Sequence, residues 1–157
     1  MKGFAMINTE THSFEETVEL GKKFGRILKP GDVVCLSGDL GTGKTAFTNG
    51  IAKELGIDSY ITSPTFTLVN EYQGKYPLYH FDVYRIADPE EMFDIGFEEY
   101  LNGEGITIIE WGELIWPILP SDIIRVNIGK NPGKGLDTRE ISIDFIGGKY
   151  SGYELKI

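Results

Sequence analysis

The sequence is poor in cysteine, histidine and basic residues, and it has no long apolar run. Cys35 is the single cysteine, so no intrachain disulfide can form. Its place inside the apolar run Val33-Val34-Cys35-Leu36 reads as a buried structural thiol without chemistry. No stretch stays apolar for the ~20 residues that a membrane-spanning helix requires, which excludes a span of that kind. Met1 to Thr11 carries one lysine and lacks the apolar segment of a secretory signal, so a cytoplasmic location is expected. The two histidines, His12 and His80, lie too far apart in sequence to suggest a metal site, and His80 is read as a hydrogen-bonded structural residue. Basic residues number 15 against 24 acidic ones, a net charge of −9. That deficit disfavours independent binding to a phosphate backbone, so any nucleic-acid role is indirect.

What the sequence does hold is a phosphate-binding signature. Gly38-Asp39-Leu40-Gly41-Thr42-Gly43-Lys44-Thr45 satisfies the pattern G-x-x-x-x-G-K-[ST] at every fixed position. Glycines at these positions let consecutive N–H groups turn toward phosphate oxygens, and the following helix presents its positive N-terminal end. Lys44 then reaches the β- and γ-phosphates, and the Thr45 hydroxyl offers an oxygen to a Mg²⁺ ion bridging them. The context is the one the motif needs. An apolar strand, Val33 to Leu36, precedes the loop, and a helical stretch from Lys44 to Leu55, closed by Gly56, follows it.

Around this loop the 157 residues read as one α/β domain. Met6 to Thr11 suits a first strand. Ser13-x-x-Glu16 opens a helix whose apolar positions Phe14, Val18, Gly21, Phe24, Gly25 and Leu28 form one stripe. Thr65 to Gln73 and Tyr76 to Tyr84, separated by Gly74-Lys75, suggest an antiparallel hairpin. Asp88-Pro89-Glu90-Glu91 supplies an N-cap, an N1 proline and early acidic charge for a helix to about Ile95, with a second short turn from Glu98 to Leu101. Ile106 to Ile109 is a buried-type strand ending at Glu110, and Pro117 and Pro120 break whatever helix begins near Trp111. Ile123 to Ile128 and Glu140 to Ile146 flank a loop from Lys130 to Thr138, and the tail from Gly147 suits a terminal strand or a frayed end. The resulting expectation is a three-layer P-loop NTPase-like domain with a mixed, mostly parallel sheet and an antiparallel hairpin.

Several groups could serve the loop. Glu110, an acid at the end of a buried strand, is placed as a nucleoside triphosphatase places its second Mg²⁺ carboxylate, although Asp is the usual residue and a solvated strand-end acid has the same local pattern. In Leu78 to Tyr84, His80, Asp82 and Tyr84 share one strand face. Asp82 fits an acid that orders the attacking water, and equally an acid paired with Arg85 or His80. Thr65 lies in a loop where a hydroxyl could sense a γ-phosphate, though an ordinary turn threonine reads the same way. Trp111 and Trp116 suit packing, and Trp111 also suits stacking near the site.

Taken together, Gly38-Asp39-Leu40-Gly41-x-Gly43-Lys44-Thr45, Ser63-Pro64-Thr65-Phe66-Thr67-Leu68-Val69, His80-Phe81-Asp82-x-Tyr84-Arg85, Ala87-Asp88-Pro89-Glu90-Glu91 and Ile109-Glu110-Trp111 occur in order. This set closely resembles the TsaE family from about Ser13 to Arg139. The resemblance implies a P-loop ATPase of bacterial tRNA threonylcarbamoyladenosine biosynthesis, working with ATP and Mg²⁺. Its implied partners are the TsaB and TsaD proteins, which install the threonylcarbamoyl group on an adenosine of tRNAs reading codons that begin with A. The ATP cycle is implied to sustain turnover of that partner complex. By the same resemblance the phosphate loop falls on Gly41, Thr42, Gly43, Lys44, Thr45 and Ala46, the Mg²⁺ ligands on Thr45 and Glu110, and the hydrolysis-linked aspartate on Asp82. Adenine-side contacts fall near Phe14 and Thr138, where the match is weaker. Ala46 departs from the family, many members having a second threonine there, and its backbone N–H is expected to suffice.

Other functions remain conceivable from the residues. A small-molecule kinase would need an acceptor pocket and usually a basic lid, and no arginine-rich segment supplies one. A GTPase would read guanine through Asn-Lys-x-Asp, which is absent, and the one Asp-x-x-Gly, Asp144 to Gly147, lies near the C-terminus. A nucleotide-gated binding module, whose hydrolysis is incidental, shares the loop and is not separated from an ATPase by sequence.

Overall fold

Two periodicities build the domain. Along the buried strands successive side chains face opposite sides of the sheet, so Val34 and Leu36 enter one apolar cluster while Val33 and Cys35 enter the other. The structure, a computed structural model, describes residues 4–39, 41–59, 61–64 and 67–157. Thr65, Phe66 and Leu40 lie outside the described residues, and with Thr65 the switch-threonine expectation.

In chain order the elements are β1 (Phe4–Thr11), α1 (Phe14–Ile27), β2 (Val33–Ser37), α2 (Lys44–Glu54), β3 (Val69–Tyr72), β4 (Leu78–Asp82), α3 (Glu91–Asp94), α4 (Phe97–Leu101), β5 (Ile106–Glu110), β6 (Ile123–Lys130) and β7 (Arg139–Ile146). A 3₁₀ segment, Gly112–Ile118, follows β5, and two more, Gly148–Tyr150 and Tyr153–Lys156, form the tail. The sheet order is β1-β7-β6-β2-β5-β4-β3. β6, β2, β5 and β4 run parallel at its centre, and β3 and β7 are antiparallel to their neighbours. β1 closes the far edge antiparallel to β7. The expected mixed, mostly parallel sheet with its hairpin is therefore what the chain forms.

Helices α1 and α2 cover one face, where Phe24, Phe47, Ile51 and Phe145 pack on Leu36, Ile108 and Val126. They approach closely because both are glycine-bearing at the crossing. A Cβ on Gly21 would lie 2.3 Å from the Phe47 carbonyl oxygen, and one on Gly50 would lie 2.1 Å from that of Val18. The other face is covered by α3, α4 and the Gly112–Ile118 segment, with Phe81, Met92, Phe97 and Ile115 in its core. These are the three layers.

Local chemistry sets the element ends. Ser13 caps α1, its hydroxyl accepting from Glu16 N, while the Glu16 carboxylate accepts from His12 N rather than from Ser13 N. Two expectations are corrected. The helix expected from an Asp88 N-cap and a Pro89 first position begins at Glu91: Asp88 does accept from Glu90 N and the Glu91 carboxylate from the N–H groups of Ala87 and Asp88, but residues 89–90 close as a turn rather than as helix. The tail is neither a strand nor frayed. Tyr150 and Tyr153 are buried in the α1/α2 cluster, the Tyr150 hydroxyl accepting from Val33 N and the Tyr153 hydroxyl donating to Asp32. Asp32 is itself buried, and this desolvation pushes its carboxyl above the ordinary aspartate value despite the Lys29 N–H, the Tyr153 hydroxyl and the Lys149 charge.

Candidate nucleotide site

The parallel centre carries the site at the C-terminal ends of its strands. Register places Leu36 of β2 beside Glu110 of β5, and Glu110 beside Asp82 of β4. Because Asp82 and His80 alternate with Phe81, and Glu110 with Ile109, all three polar groups share the face on which α2 packs. The loop entering α2 thus faces both acids.

The loop is held by backbone conformations that side chains disfavour. Gly38, Gly41 and Gly43 have φ of 152°, 76° and 109°. A Cβ on Gly38 would also stand 2.5 Å from the Ile128 carbonyl oxygen and 2.7 Å from Thr42 Oγ1. Thr42 folds inward, its hydroxyl donating to the Asp39 carbonyl at 2.8 Å. Gly43 stands at the N-cap of α2, and Lys44 and Thr45 form its first turn.

A cavity of about 760 Å³ opens above this loop, lined by Gly41, Gly43, Lys44, Thr45 and Ala46 together with Asp82 and Glu110. Phe14 and Asp137 stand on its other walls. Lys44 Nζ lies 3.4 Å from Glu110 Oε1 and 5.4 Å from the centre of the Trp111 ring. The other carboxylate oxygen of Glu110 is 2.6 Å from His80 Nε2. Burial pushes the Glu110 carboxyl up, but the hydrogen bond from His80 and the Lys44 ammonium beside it outweigh this and hold the group below its ordinary value. Glu110 is therefore an anion at neutral pH. Asp82 is buried, with one carboxylate oxygen accepting from Tyr84 N at 3.0 Å. Trp111 has left-handed backbone (φ 64°), a conformation costing roughly 1–3 kcal/mol in a residue of this bulk. The turn it makes lays its ring against Tyr84 at 4.8 Å and under Lys44.

The donors suit a nucleotide with a hard cation. A backbone cradle that a Cβ would fill, one ammonium, one exposed hydroxyl and one ionised carboxylate converge on a single cavity. Residues 11–141 match the family described as "Threonylcarbamoyl adenosine biosynthesis protein TsaE". The chain belongs to the TsaE family. It is 45% identical over 137 residues to the "tRNA threonylcarbamoyladenosine biosynthesis protein TsaE" of Bacillus subtilis (strain 168), covering 87% of this chain and 84% of that one. It is 46% identical over 118 residues to the protein of the same name from Treponema pallidum (strain Nichols), covering 75% and 87%. The crystal structure of YdiB from Bacillus subtilis matches with a TM-score of 0.80 at 38% identity, over 98% of this chain and 94% of that one.

In this TsaE-family chain the fold brings Gly41, Gly43, Lys44, Thr45, Ala46, Asp82 and Glu110 onto one cavity, while Thr42 is buried behind it with its N–H and hydroxyl both donating to the Asp39 carbonyl. Phe14 is 61% exposed on the cavity wall, where an aromatic face is open to a flat ligand. Thr138 is buried, its hydroxyl donating to the Lys134 carbonyl at 3.3 Å and lying 3.4 Å from His12 Nδ1, while its neighbours Asp137 and Arg139 line the cavity. Two contributions escaped the sequence reading. His80 is the hydrogen-bond partner of Glu110, a link that follows only from the neighbouring positions of β4 and β5. Arg139 reaches the phosphate loop from β7 across 97 residues of chain, and no spacing rule announces it.

Proposed function

We propose that the chain is a Mg²⁺-dependent ATP hydrolase acting as an accessory in tRNA threonylcarbamoyladenosine biosynthesis, in support of a TsaB–TsaD complex and touching tRNA only indirectly. The observation that carries this reading is the meeting of Lys44, Thr45, Glu110 and Asp82 in one cavity above a glycine-built loop. ATP would supply the scissile phosphoanhydride, and Mg²⁺ would neutralise charge on its phosphates. Thr45 and Glu110 would hold the metal. The loop amides and Lys44 bind phosphate oxygens and stabilise the charge that develops on them. Asp82, buried beside Glu110, orients the attacking water. Similarity to proteins named for this modification supports the pathway.

Phosphate release by the purified chain, alone and with TsaB and TsaD, tests the reading. Slow hydrolysis that rises on adding the partners is expected, and an unchanged rate would count against the accessory role. Asp82→Ala is expected to keep nucleotide binding, to lower the hydrolysis rate by roughly 10²–10⁴, and to abolish modification in reconstitution. Persistent modification without hydrolysis would make the chain a nucleotide-gated binding module instead.

A further inference from the structure

Arg139 opens β7, paired with Thr11 on one side and Lys130 on the other, so its Cα is fixed by two strands. Its guanidinium spends its donors on backbone carbonyls. Nε donates to the Thr42 carbonyl at 2.7 Å and one terminal nitrogen to the Gly41 carbonyl at 3.4 Å. The other terminal nitrogen donates to the carbonyls of Leu136 and Thr138 at 2.9 and 3.1 Å. Two of the four acceptors belong to the phosphate loop and two to the segment 131–138. An arginine has five N–H donors, and four of them are engaged here, leaving one for any other acceptor.

The geometry matters because a peptide unit that turns its N–H toward the cavity turns its carbonyl away from it. Binding phosphate through loop amides therefore leaves carbonyls at the rear that need a donor. We infer that Arg139 is a positioning residue: it holds the rear carbonyl of Thr42, whose peptide unit carries the Gly43 N–H, and braces the neighbouring Gly41 carbonyl, whose unit's Thr42 N–H is bonded to the Asp39 carbonyl; it sets the loop in its anion-binding conformation before nucleotide arrives, and couples that loop to the segment 131–138. The inference rests on the phosphate-loop reading above. Lysine cannot substitute, since its three donors radiate from one atom and do not span two chain segments in a plane.

Hydrogen–deuterium exchange on the nucleotide-free protein tests this without catalysis. Arg139→Lys is expected to speed exchange of the amides of 41–45 about tenfold, the loss of one charge-assisted hydrogen bond, with Ile106 to Glu110 still protected as the folding control. ATP and ADP affinities should fall by a similar common factor. Unchanged exchange at 41–45 overturns the inference, and an affinity loss with unchanged exchange would make Arg139 a direct anion contact. Wild-type protein gives a second arm if the variant loses the protection of β5. Inorganic pyrophosphate, which has no base to touch residue 138, should slow exchange in 131–138 together with 41–45. Slowing confined to 41–45 overturns the coupling, and no binding of pyrophosphate, ADP or ATP by the wild type overturns the phosphate-loop reading instead.

Discussion

Lys44 stands between a carboxylate and an aromatic face, and its neighbours are tuned by it. Together with the His80 hydrogen bond it holds the Glu110 carboxyl below its ordinary value. A carboxylate with a depressed folded-state pKa stabilises the protein above its unfolded pKa, and loses that contribution as pH falls through the folded value. Lys44→Met removes one cation, so the acid limb of the stability profile should move to higher pH; urea midpoints between about pH 3 and 6 measure it. The same change should weaken ATP binding at least about tenfold, roughly 1.4 kcal/mol, by titration calorimetry, and full retained affinity would undermine the loop assignment. Cys35 behaves in the opposite sense. Burial pushes its thiol up to about 12, with Arg125 opposing and Glu113 adding to the shift, and its sulfur abuts the backbone of Gly112. It should resist alkylation in the native protein at pH 8 and react at the ordinary rate in denaturant.

Between elements, the α1/α2 crossing is a close glycine-mediated contact. Gly50→Ala drives a methyl into the Val18 carbonyl and the Gly21 Cα. It should cost roughly 1–3 kcal/mol by forcing the helices apart, read as a lowered urea midpoint with an unchanged slope. Gly56→Ala serves as the contrast, since no atom lies within 4 Å of a Cβ there and its cost would come from the left-handed backbone alone. Elements were also where the sequence was most legible. The phosphate loop, α1 with its Ser13 cap, and β5 ending at Glu110 each carry their signal within a dozen residues, and local rules suffice for them. What escaped needed neighbours distant in sequence. That Asp82 stands level with Glu110 depends on β4 lying beside β5, and the role of the tail depends on Tyr153 finding Asp32. At the start of α3 the Asp88 cap was legible, since its carboxylate does accept from Glu90 N, but residues 89–90 close as a turn and the helix proper begins at Glu91.

Across the whole molecule, the two ends of the sheet divide the work. The C-terminal ends of the parallel strands carry the cavity, and the opposite end carries the tail, fastened through Asp32, Tyr150 and Tyr153. Asp32 has a raised folded-state pKa, so its ionisation opposes folding: stability is highest below the unfolded aspartate value and declines as pH rises through the folded value. Asp32→Asn can keep an acceptor for Lys29 N and the Tyr153 hydroxyl while removing the buried charge. The variant should therefore gain on the wild type as pH rises from about 4 to 8, measured as the difference in unfolding free energy. A difference that stays constant over that range would mean that the buried charge is fully compensated.

The pairing of β1 with β7 has a consequence in time. A ribosome delivers β1 long before β7, its partner in the sheet among the described residues, exists, and β7 in turn pairs with β6 on its other side. During synthesis the parallel centre and its phosphate loop can assemble while β1 waits as an unpaired edge, exposed to wrong partners. Arg139, the first residue of β7, arrives with that closing step, so the loop is braced only once β7 has been made.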